Sequence, residues 1–448
     1  MQILWLLAIV ISMGAALWSL RLGAMLYLVG ALIFPALWIN ETTAVRFELI
    51  YALWLFSLLC FHKVTSKSMI RWHPILTKYT VFLGVIFLST MLALIDAPSI
   101  SLSGIIIPFY GILRPLLVMF LFLNVAWEDE FIFRLFQTFF WLAIPIALLS
   151  IGQTLGINLV EQITMQGYTS PSRTPVFRLL EEQGVILRST GVFESPVYNG
   201  VYWILVLTTT GFALFNDLPV FRRRSFLYLI LGLALLAGIT TLSSTFLGGA
   251  VLGAAALVFL LGYRYPRRFF RFAIGSTLVA GMLVFLTLPH FMQNSTFTGT
   301  FSYQINRILS GIMFYTRYDP MEGIFAETYE TIKQRPIIGW GFNKVEGSFV
   351  GDSIYISMLY LSGFIGLGIF LWMIYSILKH AWRHRKMGGL QGKLAWVVLL
   401  WTLLLLTTGI GSPSFFILRL QEWYWALVVI SLGLSFQAYR NKIYESVG

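Results

Sequence analysis

The sequence predicts an all-α, polytopic membrane protein with about thirteen transmembrane helices (12–14) and two long outer loops, the second partly helical. Of the 448 residues, 58% are hydrophobic and 11% are charged, and the mean hydropathy is +0.80. A soluble domain has about 45–50% apolar and roughly 25% charged residues. This chain therefore carries too few charges to cover a soluble surface. A single cysteine, Cys60, excludes an intramolecular disulfide. None of the five histidines belongs to a zinc-binding HExxH motif, because His380 and His384 have its spacing but Ala381 stands where the motif has Glu, so no metal site is expected.

Thirteen apolar stretches approach the roughly 20 residues that a helix needs to cross a bilayer. They occupy residues 2–20, 22–39, 49–62, 79–95, 104–126, 131–155, 197–216, 225–241, 246–262, 269–289, 353–378, 394–411 and 418–437. The third is short and the eighth and ninth are barely separated, so counts of twelve and fourteen stay open. The first stretch lacks a basic segment before it and a small-residue cleavage site after it, which predicts a retained helix rather than a signal peptide.

These stretches divide the chain into five predicted regions. N-terminal transmembrane helices occupy 1–155 and a first outer loop occupies 156–196. Central transmembrane helices follow at 197–289 and a large outer loop at 290–352. C-terminal transmembrane helices and a cytoplasmic tail complete the chain at 353–448.

The net charge of +12 is distributed unevenly between alternate loops. One set of loops, together with the C-terminal tail, contains 20 of the 31 lysines and arginines and five acidic residues. The other set, which includes both long loops, contains nine basic and thirteen acidic residues. Because Lys and Arg are in excess in cytoplasmic loops, we expect the basic set and the C-terminus to be cytoplasmic. With thirteen spans the N-terminus is outside, and the positive charge indicates topology rather than nucleic-acid binding.

The two outer loops contain most of the side chains that could carry chemistry. The first ends in the segment Arg188–Asn199, and the second contains Arg317, the segment Arg335–Asn343 and Asp352. Between these, the apolar residues of Met321–Gln334 have nearly helical spacing. This spacing predicts an amphipathic helix at the outer membrane surface, and an ordered lid without chemistry is the alternative.

The outer arginines suit an anionic head group. A guanidinium donates paired hydrogen bonds to phosphate oxygens, so Arg188 and Arg317 could hold a diphosphate and neutralise the charge that develops when it leaves. The alternative is a structural ion pair between either arginine and a nearby glutamate, namely Glu181, Glu182 or Glu194.

Two further charged residues each have a functional and a structural interpretation. Asp352 precedes a long apolar helix, so it is a general base for a sugar hydroxyl, the helix N-cap, or both. Arg114 lies beside Pro115 inside the fifth span, where a charge usually faces a partner or a wet cavity. It either supports a lipid-phosphate site, or it snorkels or binds a carbonyl freed by Pro115.

At these residues the chain resembles the bacterial O-antigen ligase and Wzy polysaccharide polymerase superfamily, over roughly residues 185–375. The segment Arg188–Asn199 resembles its Arg-x-x-Gly-x-Phe-x-x-Pro-x-x-Asn pattern. Arg317, followed by a helix and by Pro336–Gly341, resembles its Arg and Pro-hydrophobic-Gly-x-Gly pattern. The segment Asp352–Gly366 resembles the polar residue, Tyr and Gly-x-x-Gly run that opens the next helix.

The resemblance implies a bacterial plasma-membrane protein with an outward active face. Its activity would be that of an inverting glycosyltransferase, without metal, cofactor or nucleotide sugar. It would polymerise undecaprenyl-diphosphate-linked oligosaccharide repeats into capsule, exopolysaccharide or O-antigen. Arg188 and Arg317 would bind the donor diphosphate, and an acceptor hydroxyl activated near Asp352 would attack the anomeric carbon. The other substrate-binding candidates are Arg114, Tyr198, Asn199, Arg335 and Tyr355. The implied partners are the lipid-linked donor and acceptor and membrane lipid, with a flippase and a chain-length regulator as candidate protein partners.

The chain departs from the family pattern at two positions. Asp352 stands where ligases and many polymerases have His, and the segment Leu242–Thr245 lacks an arginine that is often found there. The first departure disfavours the ligase alternative, and Arg114 is a candidate for the missing charge. A flippase or transporter of lipid-linked sugars is the alternative from another class, but it would place its ionisable residues at mid-membrane. Three glycines of the eleventh span, Gly363, Gly366 and Gly368, suit close helix packing.

Overall fold

The computed structural model describes residues 2–38, 44–96, 102–125, 127–168, 188–216, 218, 220–259, 274–275, 295–311, 317–343, 345 and 352–447. Regular structure in these ranges is helical, apart from two paired two-residue strands, β1 (Leu37–Trp38) and β2 (Ala44–Val45). The helices are α1 (Gln2–Trp18), α2 (Leu20–Ile33), α3 (Phe47–Thr65), α4 (Pro74–Asp96), α5 (Leu102–Asn124), α6 (Asp129–Thr154), α7 (Asn158–Gly167), α8 (Pro196–Phe215), α9 (Ser225–Thr240), α10 (Ser244–Leu257), α11 (Ser295–Leu309), α12 (Ala326–Gln334), α13 (Ile354–His384), α14 (Gly389–Thr408) and α15 (Leu420–Val447), with a 3₁₀ turn at Ser414–Phe416.

The protein is a membrane-embedded helical chain. Among the described residues, six helices, α3, α4, α6, α8, α13 and α14, are long and apolar enough to cross a bilayer. Shorter apolar stretches of 10–17 residues lie in α1, α2, α5, α9, α10 and α15. A helix occurs at twelve of the thirteen predicted spans, and the other, 269–289, lies almost entirely outside the described residues. The count of thirteen spans and their orientation stay predictions.

The chain folds into two compact units, neither of which is continuous in sequence. The first unit comprises Met1–Trp18, Met25–Tyr51 and Glu128–Ser310. Its central helix is α8, which packs against α9 and α10 and is almost entirely buried. Two local signals begin α8, because Pro196 occupies its first turn and the Ser195 side chain caps it by accepting the Val197 N–H.

The second unit comprises Ser19–Ala24, Ala52–Trp127 and Gly311–Gly448. Within it α13 packs against α4 and α14, and α15 packs against α5 and α14. In α4, and equally in α13, only 39% of the apolar stretch is buried inside the protein. Each of these helices therefore keeps an apolar face outside the protein core, as expected for helices that contact lipid.

Helix α13 is broken at Gly363, whose φ of 61° and ψ of −164° are not helical. The break frees backbone groups that would be costly to leave unpaired in a membrane. The segment Pro336–Phe342 supplies partners for them, and Ser89 of α4 donates a hydrogen bond to the carbonyl of Ile338 in that segment. The bonds into the break are Phe364 N–H to Pro336 O (2.8 Å), Ile365 N–H to Ile337 O (3.2 Å), Trp340 N–H to Tyr360 O (2.7 Å) and Gly341 N–H to Leu361 O (3.0 Å).

The helix predicted over Met321–Gln334 is shorter in the structure and faces protein. Its first five residues form a turn, in which the Asp319 carboxylate accepts the backbone N–H groups of Met321 and Glu322 at 2.8 and 3.0 Å. The helix itself, α12, begins at Ala326. Its buried side, with Phe325, packs against Ile356 and Tyr360 of α13, so the apolar spacing reflects protein contact rather than a purely membrane-surface helix.

Candidate functional site

The second unit brings two of the predicted catalytic residues together. An Nη2–Oδ2 distance of 3.6 Å separates the side chains of Arg317 and Asp352, which is an ion pair without a short hydrogen bond. The arginine side chain is 12% exposed, whereas the aspartate side chain is 41% exposed. Arg317 Nη1 also donates to the carbonyl of Gly411 at 3.2 Å. The guanidinium is therefore held by backbone while the carboxylate beside it faces solvent.

A tyrosine completes this cluster. The Tyr318 hydroxyl is hydrogen-bonded to Ser353 Oγ at 2.9 Å and to the carbonyl of Ile410. Burial raises the pKa of Tyr318, as does the Asp352 charge, while the Ser353 hydrogen bond and the Arg317 charge oppose that rise. The phenol therefore stays protonated at neutral pH.

The Gly-rich end of α14 positions the cluster. The backbone N–H of Ile354, the first residue of α13, donates to the carbonyl of Gly409 at 2.9 Å. Carbonyls 409–411 thus contact the start of α13, Tyr318 and Arg317. Sequence reasoning missed this connection, although the run Gly409-Ile-Gly411-Ser-Pro413 is a recognisable interruption of an apolar helix.

Asp352 does not cap α13. The N-cap residue is Ser353, whose side chain makes no capping hydrogen bond, and Asp352 lies one residue before it. The helix-cap interpretation of Asp352 is therefore wrong. Its observed contact is with Arg317.

Two other residues of the second unit, which the sequence predicts to bind substrate, make contacts within the protein. The Tyr355 hydroxyl donates to the carbonyl of Leu406 at 2.7 Å. Arg335 forms an ion pair with Asp96 at the end of α4, and its guanidinium lies 4.6 Å from the centre of the Trp340 ring. Arg335 thus fastens the segment Pro336–Phe342 to α4 through charge and cation–π contact.

Arg188 lies in the first unit, where backbone contacts hold it. Its Nε donates to the carbonyl of Thr241 at 3.1 Å, and the N–H of Ser189 donates to the carbonyl of Thr240 at 3.1 Å. The acceptors are Thr240, the last residue of α9, and Thr241, which follows it. The arginine is therefore positioned next to the segment Leu242–Thr245.

The Gly and Asn of the same motif have structural roles. The Gln153 side-chain oxygen on α6 accepts the N–H groups of Thr190 and Gly191 at 3.0 and 3.2 Å. Gly191 has φ +56°, which strains any residue with a side chain, and a Cβ there would lie 2.7 Å from Ser150 Oγ and displace it. Asn199 is fully buried and its Nδ2 donates to Ser150 Oγ at 3.1 Å. Asn199 thus ties α8 to α6.

The remaining residues of the first motif lie near its end. Tyr198 is half-buried in the first turn of α8. Glu194, considered above as a partner for Arg188, forms an ion pair with Arg46, which also lies 3.8 Å from Glu48. The other two candidate partners, Glu181 and Glu182, lie outside the described residues.

Arg114 forms a buried ion pair that the sequence did not predict. Its Nε lies 3.0 Å from Glu422 Oε1, and the two side chains are 3% and 0% exposed. The pair joins α5 to the first turn of α15. With its amide oxygen oriented toward the guanidinium, Gln421 also accepts from Arg114 at 2.6 Å. Pairing with an acidic side chain thus accounts for Arg114 without snorkelling.

We expect Arg114→Met to lower the free energy of unfolding by about 3–5 kcal/mol, because it leaves the Glu422 carboxylate buried without its cation. Replacing both residues, in Arg114→Met/Glu422→Met, should restore most of that loss, since no charge is then stranded. Thermal unfolding of the purified variants in detergent measures both effects. A double variant as unstable as the single one would contradict this explanation.

No protein-family model matches the chain, and no curated protein matches it. Within the described residues, no group of three His, Cys, Asp or Glu side chains could hold a metal ion.

Proposed function

We propose that the protein is a membrane glycosyltransferase that polymerises undecaprenyl-diphosphate-linked oligosaccharides into a surface polysaccharide. The observation that carries this proposal is the Arg317–Asp352 pair, an anchored guanidinium beside a half-exposed carboxylate. The pair combines an anion-binding group with a proton acceptor, which are the two functions that transfer from a lipid diphosphate needs. The charge pattern of the loops supports placing this pair on the outer side of the bacterial plasma membrane.

The proposed reaction is a single displacement at the donor's anomeric carbon. Asp352 accepts the proton of an acceptor hydroxyl as its oxygen forms the new bond to that carbon. The bond between the carbon and the donor diphosphate breaks on the opposite side, so the configuration inverts. Undecaprenyl diphosphate leaves with the bonding electrons, and Arg317 neutralises its charge. The guanidinium has five N–H donors, of which the Gly411 carbonyl occupies one.

Tyr318 supports this arrangement as a positioning residue. Its hydroxyl joins Ser353 to the carbonyl of Ile410, so it links the residue after Asp352 to the connection that holds Arg317. Arg188 enters the proposal through the sequence resemblance alone, as a further diphosphate contact. Its contribution is therefore tested separately.

The proposal is tested with purified protein and a lipid-linked repeat unit. We expect a ladder of lengthening glycans on a gel, with no divalent metal required. Arg317→Ala and Arg188→Ala should each abolish extension while expression and melting temperature stay near those of the unmodified chain. If both variants polymerise normally, the diphosphate assignment is wrong. Transfer of a glycan to a different lipid acceptor, without a ladder, would identify a ligase instead.

A transporter of lipid-linked sugars is the second candidate, because Arg114 and Glu422 are ionisable residues buried within membrane helices. Transport of the lipid-linked repeat across protein-containing vesicles, in the absence of any extension, would favour this candidate over the polymerase.

A further inference from the structure

Two lysines lie on neighbouring helices at the end of the second unit that is opposite Asp96. Lys78 lies in the second turn of α4, where its Nζ donates a hydrogen bond to Ser376 Oγ of α13. The same Nζ lies 3.9 Å from the centre of the Trp372 ring. Lys379, one turn further along α13, is close enough for its charge to act on Lys78.

In the part of the chain that the structure describes, neither Lys78 nor Lys379 forms an ion pair with Asp or Glu. Lys379 instead lies 5.9 Å from the centre of the Tyr375 ring. Lys78 is partly buried and Lys379 is exposed. Two neighbouring like charges repel each other unless an anion joins them, so the pair favours a negatively charged ligand.

Apolar surface continues from the lysines along the same two helices. The rings of Trp372 and Tyr375 are 56% and 58% exposed. Further exposed apolar side chains lie on both helices, namely Val81, Leu88, Phe364 and Leu371. A ligand that satisfies this whole surface therefore has an anionic head and long hydrocarbon chains. Lysine and aromatic side chains at the ends of apolar helices are typical of the bilayer interface.

We propose that Lys78 and Lys379 bind the phosphate of an anionic phospholipid whose acyl chains lie along α4 and α13. Ser376 and the Trp372 ring fix the ammonium group of Lys78 toward that phosphate, which makes the site more specific than a flexible basic loop. The basic residues that follow, Arg383 in the last turn of α13 and Lys386 just after the helix, place this end on the side of the membrane that the loop charges predict to be cytoplasmic.

Lipid retention by the full chain in detergent tests the site. Phosphatidylglycerol and phosphatidylcholine are added separately, and bound lipid is counted by native mass spectrometry. We expect the unmodified protein to retain phosphatidylglycerol in preference to phosphatidylcholine. We expect Lys78→Gln/Lys379→Gln to weaken phosphatidylglycerol binding about tenfold or more. Equal retention of the two lipids by the unmodified protein would overturn the proposal, whatever the variant does.

Two controls separate this site from general charge attraction. Lys386→Gln/Lys393→Gln removes the same charge near the same end but outside the site, so it should keep the preference for phosphatidylglycerol. If it weakens binding as much as the Lys78 and Lys379 variant does, the specific site is disproved. Inorganic phosphate should raise the melting temperature much less than phosphatidylglycerol does. An equal rise would show that the site binds phosphate alone, which also overturns the lipid assignment.

Discussion

Asp352→Asn is expected to lower the rate of glycan extension about 100- to 10,000-fold, the usual contribution of a positioned general base. The amide keeps the shape of the carboxylate but does not take a proton from the acceptor hydroxyl. Because the Asp352 side chain is 41% exposed and does not cap α13, we expect the melting temperature to change little. Single-turnover extension with saturating lipid-linked repeat measures the rate, and thermal unfolding checks the fold.

Asp319→Asn is the matched control for this variant. Asp319 lies in the same outer segment, and its carboxylate oxygen accepts two backbone N–H groups in a turn. An asparagine oxygen accepts the same hydrogen bonds, so this variant should extend glycans at nearly the unmodified rate. Full activity in Asp352→Asn would remove Asp352 from the mechanism, and equal losses in both variants would attribute the effect to loop structure.

The local sequence was sufficient to predict helices but not their partners. Apolar length located the helices at twelve of the thirteen predicted stretches, since hydrocarbon thickness sets that length. It did not predict α7 or α11, which lie within the predicted outer loops. It did not predict that Arg114 pairs with Glu422, because the two residues lie 308 positions apart in the chain and meet through packing of α5 on α15. The start of α12 was also misplaced, because the Asp319 turn competes with the helix for the same backbone groups.

The candidate site was predicted in part for a similar reason. Arg317 and Asp352 stood out as charged residues in outer loops, but their proximity depends on the connection after α14. The motif glycines were expected to serve helix packing. At Gly363 the requirement is different, because the helix stops there and resumes after one residue whose conformation is almost confined to glycine. Apolar periodicity continues across the break, so the sequence pattern gave no sign of it.

Gly363→Ala is therefore expected to destabilise the second unit by about 3 kcal/mol or more. The backbone conformation at Gly363 alone costs an alanine of order 1–3 kcal/mol. A Cβ at this position would also lie 2.3 Å from the carbonyl carbon and oxygen of Ile337, which is backbone and so cannot rotate away. Relieving that clash separates α13 from the segment Pro336–Phe342 and breaks the hydrogen bonds that satisfy both. Thermal unfolding in detergent measures the loss.

Gly368→Ala is the matched control, because it makes the same substitution five residues later in α13. Gly368 has helical geometry, and a Cβ there has no atom within 4 Å, so alanine should leave stability unchanged or raise it by up to about 1 kcal/mol.

Gly339→Ala tests the other side of the break, since its Cβ would lie 2.6 Å from the carbonyl oxygen of Tyr360. If the melting temperature of Gly363→Ala equals that of Gly368→Ala rather than that of Gly339→Ala, the break in α13 does not need its glycine. If Gly363→Ala and Gly339→Ala both lose stability, the break in α13 and the segment Pro336–Phe342 form one structural unit. Each glycine then makes room for the backbone of the other segment.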